Sequence, residues 1–584
     1  MRVLLLHPED SPRRGPWSRQ RWDLVVDLGK SSPYSEEAWG QMYGCPVLRS
    51  ESFRYGIADA KQVREIFVEG RGHLVDAEGI DWWNLTSLLI VPDTLAVLTL
   101  GRVAAEISAS AELWATRRGW PVSVLEILLG RAARGFDLGR YAQQAPRVMR
   151  YAGLVRRFSP AKIKEIFLDK YDSSYRLRSR FASTSTPCTS PVVLLPSAYG
   201  NVSRMASAYA SLLPQQSFLM VATRQSAKQF APPPNVQVRD LGAYAKGNFP
   251  AAEVSSLVQR WSKLRVSMNS SPELRVLSEA GILDALPNWL RDGLGARNAW
   301  REVMNREPVC GVLCGDDSNL FTRLPVLLAA RRKIPTADFH HGAFDGRYLL
   351  KDLPCDLYLA KNEMERDYLV RVCGLPDRSV VIGAPASEHS IKPSNREQAE
   401  KTSVVFFSEP YEGPGMRAEE VYRELLPPLC RIARDSRGGV IIKLHPFESR
   451  SQRSKLVQEI LDREDARLVT LRDGPLTTEL LEQTWFGITI ESTTVLDCVQ
   501  NGISCFLCGW LTLSPYEYAQ QYARFGVGQI LQNAEQIAEI PKQLGNAQSQ
   551  SASPAAYSMA IDPATLLRWV TSGSREPQGA RSAS

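Results

Sequence analysis

At 584 residues the chain is longer than one hydrophobic core supports, and the usual domain size of roughly 100–200 residues implies about three or four domains. Apolar residues make up 44% and charged residues 23%, the balance of an ordinary globular protein, which excludes a largely disordered chain. The 70 basic residues against 63 acidic leave a net charge of +7; this small excess suits phosphate-bearing ligands or an anionic membrane face, and without a basic stripe interleaved with aromatics it gives no expectation of a nucleic-acid partner.

Ten cysteines are scattered without a secreted-type framework, and the opening MRVLLLHPED has too short an apolar run for a signal peptide, so a reducing, cytoplasmic setting is expected. MRVLLL, WDLVVDLG and TSLLIV read as strands separated by polar and helical stretches. A helix from Val103 to Gly119 and a strand at VSVLEIL complete a compact α/β domain over residues 1–150. The most apolar segment, LTSLLIVPDTLAVLTLG from Leu85, contains Pro92 and Asp93 and falls short of the ~20 residues of a spanning helix, so it reads as core. Trp82 and Trp83 adjoin this run and read as core rather than as an exposed sugar platform.

Residues 151–189 form a basic, helical connector from Arg156 to Arg180 followed by the linker ASTSTPCTSP. PVVLLPSAYGNVSRMASAYASLL then opens a doubly wound sheet, with a strand, a turn around Tyr199-Gly200-Asn201 and a helix. Further βα units divide into two domains, 190–352 and 353–545, and alternating strands and helices imply parallel sheets covered on both faces. Residues 546–584 are low in large apolar side chains and read as a largely flexible tail with one short helix near Pro563 to Trp569.

Ligands of doubly wound sheets sit beyond the carboxyl ends of the strands. In GVIIKLHPFES, His445 stands there with Pro446 fixing the backbone as the chain leaves the sheet. Its imidazole either donates to a phosphate or serves as a structural hydrogen-bonder. Lys443 on the same strand either neutralises phosphate or snorkels to solvent. WFGITIESTTVLDCVQNG reads as strand, polar turn and helix, placing Glu491, Ser492, Thr493 and Thr494 at the helix start. Free N–H groups and the positive end of the helix dipole suit an anion there, and plain N-capping is the alternative. Glu409, in FFSEPYEGPG, follows another strand and either touches the donor or sits in a surface turn.

The ordered pair His-Pro, then Ser-Thr after a strand, resembles the nucleotide-binding signature of bacterial sialyltransferases and related capsule or lipopolysaccharide glycosyltransferases of GT-B architecture. The resemblance implies two facing Rossmann-like domains over about 190–545, accompanied here by the extra N-terminal α/β domain. It further implies that His445, Pro446, Ser492 and Thr493 hold the donor nucleotide and its phosphate. TADFHHGAFDG is similar to the Gln-His-Gly loop of several polymer-forming enzymes of this architecture, matching at His341-Gly342, with His340 where glutamine is frequent.

Such a transfer needs a base for the acceptor hydroxyl and a group to hold the departing phosphate. Asp316 and Asp317, in LCGDDSN, follow a buried strand and are candidates for the base; the alternative is that one of them caps the next helix. Asp345, in the FDG of the histidine loop, is their rival, or else a turn residue. His341 is the candidate for stabilising the leaving phosphate. Cys505-Phe-Leu-Cys508, with Cys498 nearby, lies in an apolar strand and reads as core, and His7-Pro8 lacks the Ser/Thr partner.

The expected function is metal-independent transfer of a sugar from a nucleotide-sugar, with a CMP-linked donor in view, to a surface-polysaccharide or glycolipid acceptor. No cofactor beyond that co-substrate is expected, and peripheral contact with the inner membrane or with capsule assembly proteins fits the family. Alternatives are a CDP-alditol phosphotransferase, a nucleotide-sugar 2-epimerase, or a catalytically silent module of a capsule assembly complex.

Overall fold

A computed structural model describes the chain except residues 8–9, 11–14, 29–39, 42, 54–55, 137–185, 229, 246–250, 269–270, 316, 341, 343–347, 350–351, 353, 386–402, 410–417, 446–447, 512–517, 547–557 and 573–584. The described residues build three sheets, each parallel throughout. The first contains β1 (Arg2–Leu6), β2 (Leu24–Asp27), β3 (Val47–Arg49), β4 (Glu112–Ala115) and β5 (Arg134–Gly135) in the order β3-β2-β1-β4-β5. The second contains β6 (Val192–Ser197), β7 (Ser217–Ala222), β8 (Val236–Asp240), β9 (Val309–Cys314), β10 (Thr336–Phe339), β11 (Leu357–Ala360) and β12 (Val380–Ile382) in the order β8-β7-β6-β9-β10-β11-β12. The third contains β13 (Ser403–Phe407), β14 (Gly439–Lys443), β15 (Val469–Arg472), β16 (Thr484–Thr489), β17 (Ser504–Cys508) and β18 (Gln529–Leu531) in the order β15-β14-β13-β16-β17-β18.

One rule generates all three. The first strand is central, the next two step to one side, and the fourth returns to the other flank, which is the Rossmann order with its switch point between the first and fourth strands. Parallel strands need crossovers that cover both faces, so their central strands are apolar on both sides. VVLLPS of β6 and SVVFF of β13 are buried at every position.

The sequence places a domain boundary at 352/353, and the strand pairing moves it. Tyr358 pairs with Asp338 and with Val380, so β11 and β12 extend the middle sheet, and the third sheet begins only at Ser403. The unit LYLAKNEMERDYLV has the same strand–helix pattern as its neighbours, so nothing local marks which sheet it joins.

The N-terminal domain differs from the sequence reading in its helices. TSLLIV lies inside the helix Trp82–Ala105, and VSVLEIL lies in the helix Trp120–Leu129, which starts with Pro121 in its first turn. Asp81 caps the long helix by accepting from the N–H groups of Trp83 and Asn84. By length and composition alone this helix could cross a membrane. In the structure it packs against the helix Trp120–Leu129 of its own domain and against the helices Pro272–Glu279, Leu286–Arg306 and Leu320–Arg331 of the middle domain, with Trp82 and Trp83 fully buried. Trp83 stacks on Trp261 with ring centroids 6.0 Å apart, and Gly293 leaves the space that the Trp82 ring fills.

A buried ion pair locks this junction. Asp76 accepts from the Trp82 indole at 2.8 Å and from Arg297 at 2.7 Å, and Arg297 also forks onto Glu253 at 2.7 and 2.8 Å. The Arg297 and Asp76 side chains are 1% and 0% exposed. The N-terminal and middle domains therefore share a continuous core.

The segment expected to be a largely flexible tail contributes structure. Met559 and Ile561 bond to Ala384 at 2.8 and 3.0 Å, and the helix Pro563–Ser572 lies against the middle sheet with Ile561, Leu566 and Val570 in its core. Gly311 on β9 is the contact point, because a Cβ there would overlap the Val570 carbonyl.

Two stability effects follow from these contacts. Arg297→Met strands the Asp76 carboxylate in the core and is expected to cost about 3–5 kcal/mol in chemical denaturation. Gly311→Ala is expected to cost about 1–3 kcal/mol by pushing the Pro563–Ser572 helix off the sheet, read as a lowered thermal midpoint.

Candidate functional site

In the third sheet β13 lies between β14 and β16, so the turns leaving these three strands emerge side by side at the carboxyl edge, at the switch point. The first turn carries Ser408 and Glu409, the second Leu444 and His445, the third Glu491 to Thr494. The structure thus brings together Glu409, Lys443, His445, Glu491, Ser492, Thr493 and Thr494. Pro446 lies outside the described residues.

Glu409 bridges the switch point. Its carboxylate accepts from the Glu491 N–H at 2.8 Å and lies 3.2 Å from the Thr489 hydroxyl, which in turn accepts from the Ser492 N–H at 3.3 Å. Burial raises the carboxyl above the ordinary glutamate value, and the Glu491 N–H and Thr489 hydroxyl partly offset this. An internal carboxylate therefore occupies a backbone donor that the sequence reading reserves for a ligand anion, and Glu409 is neither a plain surface turn residue nor simply a ligand contact.

Ser492 bonds to Thr494 at the start of the following helix. Its hydroxyl oxygen accepts from the Thr494 N–H at 3.4 Å and from the Thr494 hydroxyl at 3.0 Å, while Thr493, at the N-cap of the short helix Thr494–Gln500, makes no side-chain capping bond. Glu491, Ser492, Thr493 and Thr494 are all only partly buried, which leaves this turn accessible from solvent at the strand edge.

Lys443 departs from both readings of it. Its ammonium donates to the carbonyls of Leu444 at 2.9 Å and Gly474 at 2.7 Å, and burial lowers its pKa. It neither snorkels nor reaches for a phosphate; it ties the end of β14 to the turn after β15. His445 is half-buried, and burial first and Lys443 second hold its pKa below 6.5, so near neutral pH the imidazole is uncharged and offers one N–H.

Sequence reasoning misses Glu448. It stands three residues after His445, at hydrogen-bonding distance for a turn, and that spacing in HPFE is the signal that could have found it. The His445 N–H donates to Glu448 Oε2 at 2.7 Å, while Oε1 accepts from Ser408 Oγ at 2.9 Å and from Arg453 Nε at 2.8 Å.

The middle-domain candidates fare differently. Asp317 is 1% exposed and paired with Arg323 at 3.0 Å, a buried ion pair with no open face toward a cleft. The following helix Leu320–Arg331 is capped by Asn319, whose side chain accepts from the Phe321 N–H at 2.9 Å, and not by Asp317. Asp317 is therefore corrected from a candidate base to a structural partner of Arg323. Asp316, His341 and Asp345 lie outside the described residues. Gly342 follows β10, at the carboxyl edge of the middle sheet rather than on the C-terminal domain with the other proposed donor contacts.

The carboxyl edges of the second and third sheets approach each other. The helix Glu363–Asp367 and the π-helical turn Tyr368–Val372 follow β11, and they meet the helix Tyr518–Arg524. Tyr368 and Tyr518 meet edge to face at 5.0 Å. The Gln521 amide donates to the Met364 carbonyl at 2.9 Å and to Asp367 at 2.8 Å, and Arg524 pairs with Asp367 at 2.9 Å. Burial, aided by Glu365 of the middle domain and by Glu491 and Glu409 of the third sheet, raises the Tyr522 phenol well above its ordinary pKa, which puts this seam beside the switch-point turns. Cys498 and Cys505 flank Gly487 within the core of the third sheet, as their apolar setting predicts.

No family model matches the chain, and no curated protein matches it. Among solved structures, the UDP-GlcNAc 2-epimerase from Methanocaldococcus jannaschii is similar at 10% identity and a TM-score of 0.41, over 65% of this chain and 99% of that one. The UDP-GlcNAc 2-epimerase from Neisseria meningitidis bound to UDP-GlcNAc is similar at 12% identity and a TM-score of 0.40, over 65% and 99%. A glycosyltransferase from Rickettsia africae is similar at 11% identity and a TM-score of 0.36, over 66% and 95%.

Proposed function

We propose that the protein is a nucleotide-sugar-dependent glycosyltransferase, binding its donor at the carboxyl edge of the third sheet and receiving a saccharide or glycolipid acceptor from the middle domain. The observation that carries the reading is the meeting of three turns at one switch point, bearing Glu409, His445 and Ser492 to Thr494. A phosphate at that edge would meet the His445 imidazole and the partly exposed Ser492 turn, while Glu409 holds that turn in shape. With Asp317 committed to Arg323, the acceptor proton falls to Asp316 or Asp345, and His341 supports the leaving phosphate. Closure along the seam between Tyr368 and Tyr518 would exclude water from the transfer. The motif resemblance supports a metal-independent reaction on a surface-polysaccharide precursor, with a CMP-linked donor, at the cytoplasmic side of the inner membrane.

A thermal-shift screen with CMP, CDP, UDP, GDP and dTDP tests the pocket. One nucleotide at 100 times its Kd is expected to stabilise the wild type by about 2.7 kcal/mol, and His445→Ala to lose that gain. A folded wild type unmoved by all five overturns the reading. Release of free sugar in the absence of any acceptor would replace the transferase with the 2-epimerase alternative.

The lowered His445 pKa fixes the sign of a pH effect. The imidazole is neutral at pH 7 and gains its proton only as pH falls through its depressed value, so an anion binds better on the acid side. Nucleotide affinity measured by calorimetry is therefore expected to rise as pH falls below 6.5, relative to His445→Ala. Phosphate protonation near pH ~6 affects both proteins alike and cancels in that ratio.

A further inference from the structure

We infer that Glu448 is the positioning residue of the phosphate site, the group that fixes His445 at the strand exit and couples it to the turn bearing Glu409. The inference rests on the nucleotide-binding reading of that edge and adds to it a residue that never touches the ligand.

The geometry is a closed ring. The His445 N–H donates to Glu448 Oε2 at 2.7 Å, and the Glu448 N–H donates back to the His445 carbonyl at 2.9 Å, so side chain and backbone together tie Glu448 to His445. The other carboxylate oxygen faces away from the turn. It accepts from Ser408 Oγ at 2.9 Å, on the residue next to Glu409, and from Arg453 Nε at 2.8 Å. Because the Ser408 proton goes to Glu448, the Tyr422 hydroxyl, 3.0 Å from Ser408 Oγ, donates to it, and the Arg453 guanidinium lies over the Tyr422 ring at 5.4 Å. One carboxylate thus links the turn after β14 to the turn after β13.

Energetics favour a positioning role over a stabilising one. The Glu448 side chain is 0% exposed and Arg453 4%, and a fully buried pair gains little net stability over an apolar pair of similar shape, because desolvation cancels most of the attraction. What such a pair supplies is a fixed direction. Both oxygens are acceptors for N–H and O–H groups, so an amide in place of the carboxylate turns one of them into a donor facing a donor. Glu448→Gln must release either His445 or the Ser408–Arg453 side.

Calorimetry with the pairs UDP/uridine and CMP/cytidine isolates the phosphate contribution as the affinity ratio of nucleotide to nucleoside. His445→Ala, Glu448→Gln, the combination of the two, and the apolar replacement Glu448→Met with Arg453→Leu are compared, the last guarding against a variant that merely fails to fold. The expected result is that each Glu448 variant lowers the ratio about tenfold with nucleoside affinity unchanged. Combined with His445→Ala it lowers the ratio no further than His445→Ala alone, since Glu448 acts through His445. A wild-type ratio in the Glu448 variants, or additive losses, overturns the inference while leaving the nucleotide site standing. If the wild type binds none of the probes, the nucleotide reading falls and the positioning role is read from the His445 imidazole resonance by NMR. That resonance should shift in Glu448→Gln as the ring leaves its fixed position, and a resonance unchanged from the wild type overturns the inference.

Discussion

Parallel strand pairing governs the rest of this molecule. A parallel sheet with both faces covered has no exposed face on which to build a site, so polar groups able to meet a ligand concentrate where strands end. Here the same winding rule is applied three times in one chain, giving three switch points. In the third sheet that edge holds a carboxylate, an imidazole and a hydroxyl turn supported by hydrogen bonds from neighbouring strands. Buried charged groups across the molecule are spent on the protein itself: Lys443 on two carbonyls at this edge, Asp317 on Arg323 in the middle domain, and Arg297 on Asp76 and Glu253 at the junction with the N-terminal domain.

Strands were legible in the sequence wherever burial on both faces wrote a short continuous apolar run, as at VVLLPS, SVVFF and GVIIK. The same signal misled at TSLLIV. A helix buried on most sides is also a continuous apolar run, and only the length to Ala105 and the Asp81 cap separate the two. At VSVLEIL the overlooked cue was Gly119-Trp120-Pro121, a helix start. The domain boundary was illegible for a different reason: which sheet a βα unit joins depends on strand pairing far along the chain, and LYLAKNEMERDYLV carries no trace of it.

The site was legible in outline because strand ends can be read locally, and Glu409, His445 and Ser492 each follow an apolar run. Their roles were not. Whether Lys443 faces solvent or carbonyls is decided by Gly474 in a different turn, and whether Asp317 is a base or half of an ion pair is decided by Arg323, on the helix that follows. Glu448 escaped notice because a glutamate after a His-Pro pair looks like any solvent-facing turn residue until Arg453 and Ser408 close around it.

The return of the Pro563–Ser572 helix to β9 has a consequence for how the chain is made. Strand β9 and its neighbours leave the ribosome long before the helix that covers Gly311 exists, and at about 5–20 residues per second that delay is on the order of tens of seconds. Throughout it, the patch around Gly311, Leu313 and Phe339 lacks Leu566 and Val570 as its cover, while the whole third sheet is being synthesised and folded. The middle domain is thus the one begun second and finished last, and a nascent chain stalled within the third sheet would present a sticky, half-covered sheet to chaperones rather than a completed domain.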